Sequence, residues 1–178
     1  VTLCALVPWQ FFSGGILKAS DSLVVSANML KKVFFPRLLA PLAAVLSGLV
    51  DFLIASCVLV LLLVYYHFSD PLWEFHFRWR LLVLPFLLLL AFITAQGIGL
   101  WLAAMNVQFR DVKHIVPFFV QLLTFISPVG FMAAEIPATW KVVYALNPMV
   151  GVIEGFRWAL LADNQPGYMQ LQPPGTEL

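Results

Sequence analysis

Residues 81–105 read LLVLPFLLLLAFITAQGIGLWLAAM, a run without one charged side chain whose Ala95, Gly97 and Gly99 would let another helix approach closely. A transmembrane helix needs roughly 20 consecutive, mainly apolar residues, and a longer run has no place in a soluble fold. Outward from it, residues 38–66 hold a single charge, Asp51. As a helix that segment would measure roughly 44 Å, longer than the roughly 30 Å hydrocarbon core, so it must tilt or begin in the interface. Residues 115–134 are apolar but contain Pro117 and Pro128, which remove backbone donors and predict a kinked or broken helix sheltered among neighbours. Residues 1–17, with Trp9, Phe11 and Phe12 beside Pro8 and the Gly14-Gly15 pair, read as a further span already under way at Val1. The composition agrees. The chain of 178 residues is 62% hydrophobic and 11% charged, against about 45–50% apolar and about 25% charged in soluble domains, and its mean hydropathy is +0.93. The predicted fold class is all-α, a polytopic helical membrane protein with about four spans over residues 1–163.

Between the spans lie three polar segments and a tail. Residues 18–37, KASDSLVVSANMLKKVFFPR, predict a short helix capped by Asp21 or Ser22 and ended by Pro36. Residues 67–80, HFSDPLWEFHFRWR, interleave aromatic and polar groups as an interfacial belt does. Residues 106–113, NVQFRDVK, make a short polar turn. Residues 135–161 divide into two short amphipathic pieces at Asn147-Pro148, and residues 164–178, rich in Pro and Gly, read as loop or disorder. Lys18, Lys31, Lys32, Arg37, Arg110 and Lys113 fall on one side of the membrane, whereas Arg78, Arg80, Lys141 and Arg157 fall on the other among five carboxylates. The excess of Lys and Arg puts residues 18–37 in the cytoplasm.

The net charge of +1 and the lack of a polybasic tract speak against a nucleic-acid partner. Cys4 and Cys57 lie in apolar runs and read as packing residues rather than a disulfide. Val1 follows no initiating Met or basic leader, so the opening stretch does not read as a signal peptide, and the chain is expected to be a fragment. There is no phosphate-binding Gly loop, paired-Cys spacing or nucleophile motif. The outer group His67, Asp70, Glu74 and His76 reads as solvated interface, with a metal or catalytic site as the alternative.

Asp51 falls near mid-membrane, where a carboxylate costs a few kcal/mol unless paired, protonated or wet; a functional role and a structural hydrogen bond to a neighbouring helix both fit. In residues 28–37, NMLKKVFFPR, the adjacent Phe34 and Phe35 exceed what a topological signal needs. They suit docking to a soluble partner or lying on the lipid surface. Glu154 and Arg157, spaced i, i+3, can pair on a helix tucked into the bilayer; a helix lying flat with both charges in water fits the spacing equally.

Three blocks in order then resemble a known family: PWQFFSGGILKASDSLVVSANMLKKVFFPRLLAPLAAVLSGLVDFLIA at 8–55, GIGLWLAAMNVQFRDVKHIVPFFVQLLTFISPVGF at 97–131, and LNPMVGVIEGFRWALL at 146–161. They are similar to the permease subunit of ABC-2 type exporters of cell-surface polysaccharide such as O-antigen, capsule or teichoic acid. The resemblance implies a homodimeric permease of six helices per subunit in the bacterial inner membrane. It would work with a separate ATPase that binds ATP and magnesium, no cofactor residing on this chain, and its cargo would be a lipid-linked glycan. Against that pattern the chain lacks an interface helix and the first and last spans. Residues 26–37, with Asn28, Lys31, Lys32, Phe34, Phe35, Pro36 and Arg37, match the family's coupling helix, which seats in a groove of the ATPase. Asn106, Arg110 and Asp111 match the second cytoplasmic turn. Asn147, Pro148, Glu154, Phe156, Arg157 and Trp158 match the external re-entrant helices over the channel exit. Trp9, Phe11 and Phe12 are the candidates for a channel lining, ordinary helix or lipid contact being the alternative. A permease for a smaller lipid or drug, and a membrane enzyme using the outer His/Asp/Glu group, are the competing functions.

Overall fold

The computed structural model describes residues 2–26, 38–69, 79–109, 111–127, 129 and 147–161. Among these residues five α-helices run in order: α1 (Thr2–Val25), α2 (Leu39–Ser69), α3 (Leu84–Gln108), α4 (Val112–Ile126) and α5 (Pro148–Leu161). A 3₁₀ turn, Trp79–Val83, leads into α3. Pro85 falls in the first turn of α3, where its missing N–H costs nothing. No strand occurs among the described residues.

The molecule is an all-α polytopic membrane protein, and its surface shows why. Leu39–Tyr65 and Arg80–Gln108 are long and apolar enough to cross a bilayer, yet only 22% and 17% of their most apolar stretches are buried. Leu53, Ile54 and Leu61 on α2 and Phe86, Ile93 and Trp101 on α3 point outward. An apolar surface of that extent is not stable against water, whereas lipid accepts it.

The helices depart from the sequence-based boundaries in three places. First, α1 does not end near Leu17 but continues to Val25, so Asp21 and Ser22 lie inside it rather than capping a new helix. Ala19 and Ser20 are buried, and burying this turn against α3 keeps it helical. Second, α4 covers 112–126 rather than 115–134. Ser127 is extended at φ −82°, ψ 145°, as a residue before proline prefers, so Pro128 ends the helix instead of kinking it. Third, the spans are unequal: α1 has length enough, about 36 Å by helical rise, but carries Gln10, Lys18 and Asp21. By the same rise α4 reaches only about 22 Å.

Helix α1 is the centre of the assembly, packed most extensively on α3 and α2, with α5 against both α1 and α3. Small residues decide how close α1 and α3 come. A Cβ placed on Gly15 would lie 3.5 Å from that of Ala95, and one placed on Gly99 would lie 2.6 Å from that of Ala19. Small residues four apart on each helix therefore interlock, the packing by which helices associate where lipid removes the hydrophobic drive. The paired positions rise together, so α1 and α3 are parallel. Gly15 against Val45 and Phe11 against Gly48 run in opposite order, which makes α2 antiparallel to them. Gly97, expected to share in the close approach, instead meets open space.

Candidate functional site

Among the described residues, hydrogen-bonded polar side chains interrupt this apolar packing in three places. At the Val25 end, Asn106 is 4% exposed and donates from Nδ2 to the Ser20 carbonyl and to Asp21 Oδ1, both at 3.0 Å. One amide thereby joins the last turns of α1 and α3, and in a low-dielectric interior such a satisfied pair fixes their register. The Ser20 and Ser22 hydroxyls donate back to Leu17 O at 3.0 Å and Ala19 O at 2.6 Å, so neither competes with the helix for its own amides. Of the residues matched to the coupling surface, Asn106 is thus a buried tie and Asp111 an exposed N-cap of α4 without a side-chain capping bond. Asn28, Lys31, Lys32, Phe34, Phe35, Pro36, Arg37 and Arg110 lie outside the described residues.

Between α1 and α2, Lys18 Nζ donates to Asp51 Oδ2 at 2.8 Å. The carboxylate expected to need a partner has one, on the neighbouring helix. Both side chains stay largely exposed, 45% for Lys18 and 72% for Asp51. They border a hollow of about 100 Å³ with Gln10, Phe11, Gly14 and Gly48. Sequence reasoning counted Lys18 as the start of the polar segment. Only the pairing of α1 with α2 reveals it as the partner of Asp51.

At the opposite end, α5 is built around a buried cation. Asn147 is its N-cap: Oδ1 accepts from the Met149 N–H at 3.1 Å, and Pro148 takes the first helical position. Arg157, 1% exposed, donates from Nη1 to Glu154 Oε1 at 2.9 Å and from Nη2 to the Val129 carbonyl at 3.1 Å. Asn147 Nδ2 also donates to Ser127 Oγ at 3.4 Å. These bonds fasten α5 to the segment after α4. The burial of Arg157 rules out a helix lying flat with both charges in water. Trp158 is stacked under the Arg80 guanidinium, 5.2 Å from the ring centroid, which ties α5 to the turn before α3.

The aromatic candidates Trp9, Phe11 and Phe12 are 3–4% exposed, so packing accounts for most of their surface. Trp9 meets Phe12 at 5.6 Å between centroids, and Phe11 meets Phe52 edge-on at 5.6 Å, with Phe156 beyond it at 6.1 Å. Within this chain Trp9 and Phe12 are interior packing rather than the lining of a passage; Phe11 alone of the three borders the hollow at Lys18. A second, apolar hollow of about 270 Å³ lies between α2, α3 and α5, lined by Leu59, Leu84, Leu88 and Phe156 among others. Of the outer group, His67 falls in the last turns of α2, whereas Asp70, Glu74 and His76 lie outside the described residues.

Comparison with known proteins places these features in context. The family model described as ABC-2 type transporter matches residues 2–161. An O-antigen export system permease protein RfbA of Klebsiella pneumoniae is 25% identical over 155 residues, which are 87% of this chain and 58% of the relative. A second RfbA of the same organism is 26% identical over the same shares. An RfbA of Myxococcus xanthus is 27% identical over 154 residues, 85% of this chain and 56% of the relative. The chain therefore spans a little over half the length of the curated relatives it matches.

Proposed function

This chain belongs to the ABC-2 type transporter family, and from that premise we propose that it forms part of the permease subunit of an ATP-driven exporter of lipid-linked cell-surface polysaccharide. The observation carrying the reading is the similarity to O-antigen export permeases along nearly the whole chain. In this reading the protein sits in the bacterial inner membrane as a homodimer and catalyses no reaction itself. ATP and magnesium bind a separate ATPase, whose motion reaches the membrane through residues 26–37.

The packing supports a mechanical route for that motion. The segment after α1 and the turn after α3 would both face the ATPase, and Asn106 bonds the two helices just above them. Farther from the ATPase, Gly99 against Ala19 leaves no room for one helix to slide past the other. A push on residues 26–37 would therefore move α1 and α3 as one body, toward α5 at the far end. Phe34 and Phe35 suit an apolar cleft on the partner, and Lys31, Lys32 and Arg37 suit acidic groups around it.

The reading is tested by replacing Phe34 and Phe35 with Asp in the full-length protein. Co-purification of the ATPase should be lost while membrane insertion persists; retained co-purification removes the docking role. The competing permease for a smaller lipid or drug would leave surface glycan unchanged when the gene is deleted.

A further inference from the structure

The Lys18–Asp51 pair occupies a position that lipid does not tolerate. Asp51 lies twelve residues into α2 and eighteen from its end, about 18 Å and about 27 Å by helical rise, so its carboxylate belongs to the body of an apolar helix and not to either end. Lys18 could extend its long stem toward the nearer end of α1, the usual course for a lysine in a membrane, yet its ammonium is turned to Asp51. Each group keeps unused capacity. Among the described residues the ammonium spends one of its three donors, and Asp51 Oδ1 accepts nothing. An ion pair with 45% and 72% of its side chains uncovered would leave those groups unsatisfied in hydrocarbon.

The surroundings continue the pattern. Gln10, Gly14 and Lys18 recur every four residues and form one stripe along α1. Gln10 is exposed, and a Cβ on Gly14 would touch nothing within 4 Å. The stripe is thus an open track beside Phe11, bordered on α2 by Gly48, Asp51, Phe52 and Ala55.

We infer that the groove formed by Gln10, Gly14, Lys18 and Asp51 faces water within the membrane and is a contact surface for a neutral, hydroxyl-bearing chain. The pair is already neutralised, so it offers no net charge to hold an anion. Its spare donors and acceptor, together with the Gln10 amide, match groups that both donate and accept. Hydroxyls exchange with water at such a surface at little net cost, which lets a chain pass without being trapped. The inference deepens the export reading and rests on it for the nature of the chain; the wetness of the groove does not.

The test uses the full-length protein in cells and a membrane-impermeant methanethiosulfonate. Gly14→Cys is the probe, with Gln10→Cys as a second site should the first perturb folding. Native Cys57 is the internal control: it is exposed, and lies about 120° around α2 from Asp51 by helical periodicity. The probe should label more than about tenfold faster than Cys57, because thiol modification requires the thiolate and hence water. Labelling of both probes no faster than Cys57 would mean that lipid, a second copy or another segment covers the groove, and would overturn the inference. Next, Lys18→Met with Asp51→Leu removes both charges together, so neither remains unpaired. Surface glycan should fall more than about tenfold with Cys57 labelling unchanged, since hydrogen bonds to passing hydroxyls have no apolar substitute; unaltered glycan would overturn the contact role. Labelling of Gly14→Cys in cells that export no glycan, even with the unmodified protein, contradicts only the export reading.

Discussion

Two ion pairs among the described residues have surroundings that assign them opposite work. Arg157 is 1% exposed, pairs with Glu154 at 2.9 Å and also binds the Val129 carbonyl. Lys18 and Asp51 are as close, at 2.8 Å, yet remain 45% and 72% exposed. A buried charge that loses its partner stays stranded, whereas an exposed one turns to water. The first pair therefore belongs to the fold and the second is free to serve passage.

The largest expected effect comes from breaking the buried pair. Glu154→Ala takes a carboxylate away from the buried Arg157 guanidinium, and should cost about 3–5 kcal/mol. Thermal unfolding in detergent and protease resistance of the membrane fraction would show it. Gly99→Ala comes next and touches neither pair. Its Cβ would meet that of Ala19 at 2.6 Å, both fixed to backbone, so α1 and α3 must separate at about 1–3 kcal/mol. Gly97→Ala, with open space around it, is the matched control and should leave the melting temperature unchanged.

Asn106→Ala follows, removing the amide that bonds Ser20 O and Asp21 Oδ1. It should cost about 1–3 kcal/mol, because two bonds between α1 and α3 are lost, one of them to a carboxylate. It should also raise ATP turnover per chain exported, since the two inner helix ends no longer move together; turnover measured in reconstituted vesicles checks this. Lys18→Met should have the smallest effect on stability, within about 1 kcal/mol if the groove is wet. A loss comparable with that of Glu154→Ala would erase the distinction between the two pairs.

The sequence disclosed the membrane class through residues 81–105, whose lack of charge leaves few other homes, and disclosed Glu154 and Arg157 as partners because i, i+3 spacing is local. It disclosed less wherever partners are distant in the chain. Lys18 and Asp51 are 33 residues apart, and Asn106 is 86 from Ser20; nothing local marks either contact. The end of α1 was misplaced for a related reason. Lys18, Ser20, Asp21 and Ser22 look like a polar boundary, but burial against α3 and the Asn106 bonds keep the helix intact. Trp9 and Phe12 show the reverse failure, for aromatic faces suited to a passage are equally suited to a core. The small-residue seam was half visible, because Ala95 and Gly99 face α1 while Gly97 faces away, a difference that only the phase of the helix decides.

The central claim is that the full-length protein carries a lipid-linked glycan across the inner membrane. The most direct measurement is the location of that glycan in cells from which the gene has been deleted. Surface glycan should disappear while the lipid-linked chain accumulates on the cytoplasmic leaflet, and the full-length gene should restore it. A normal glycan coat in the deleted strain, with no accumulation inside, would contradict the claim.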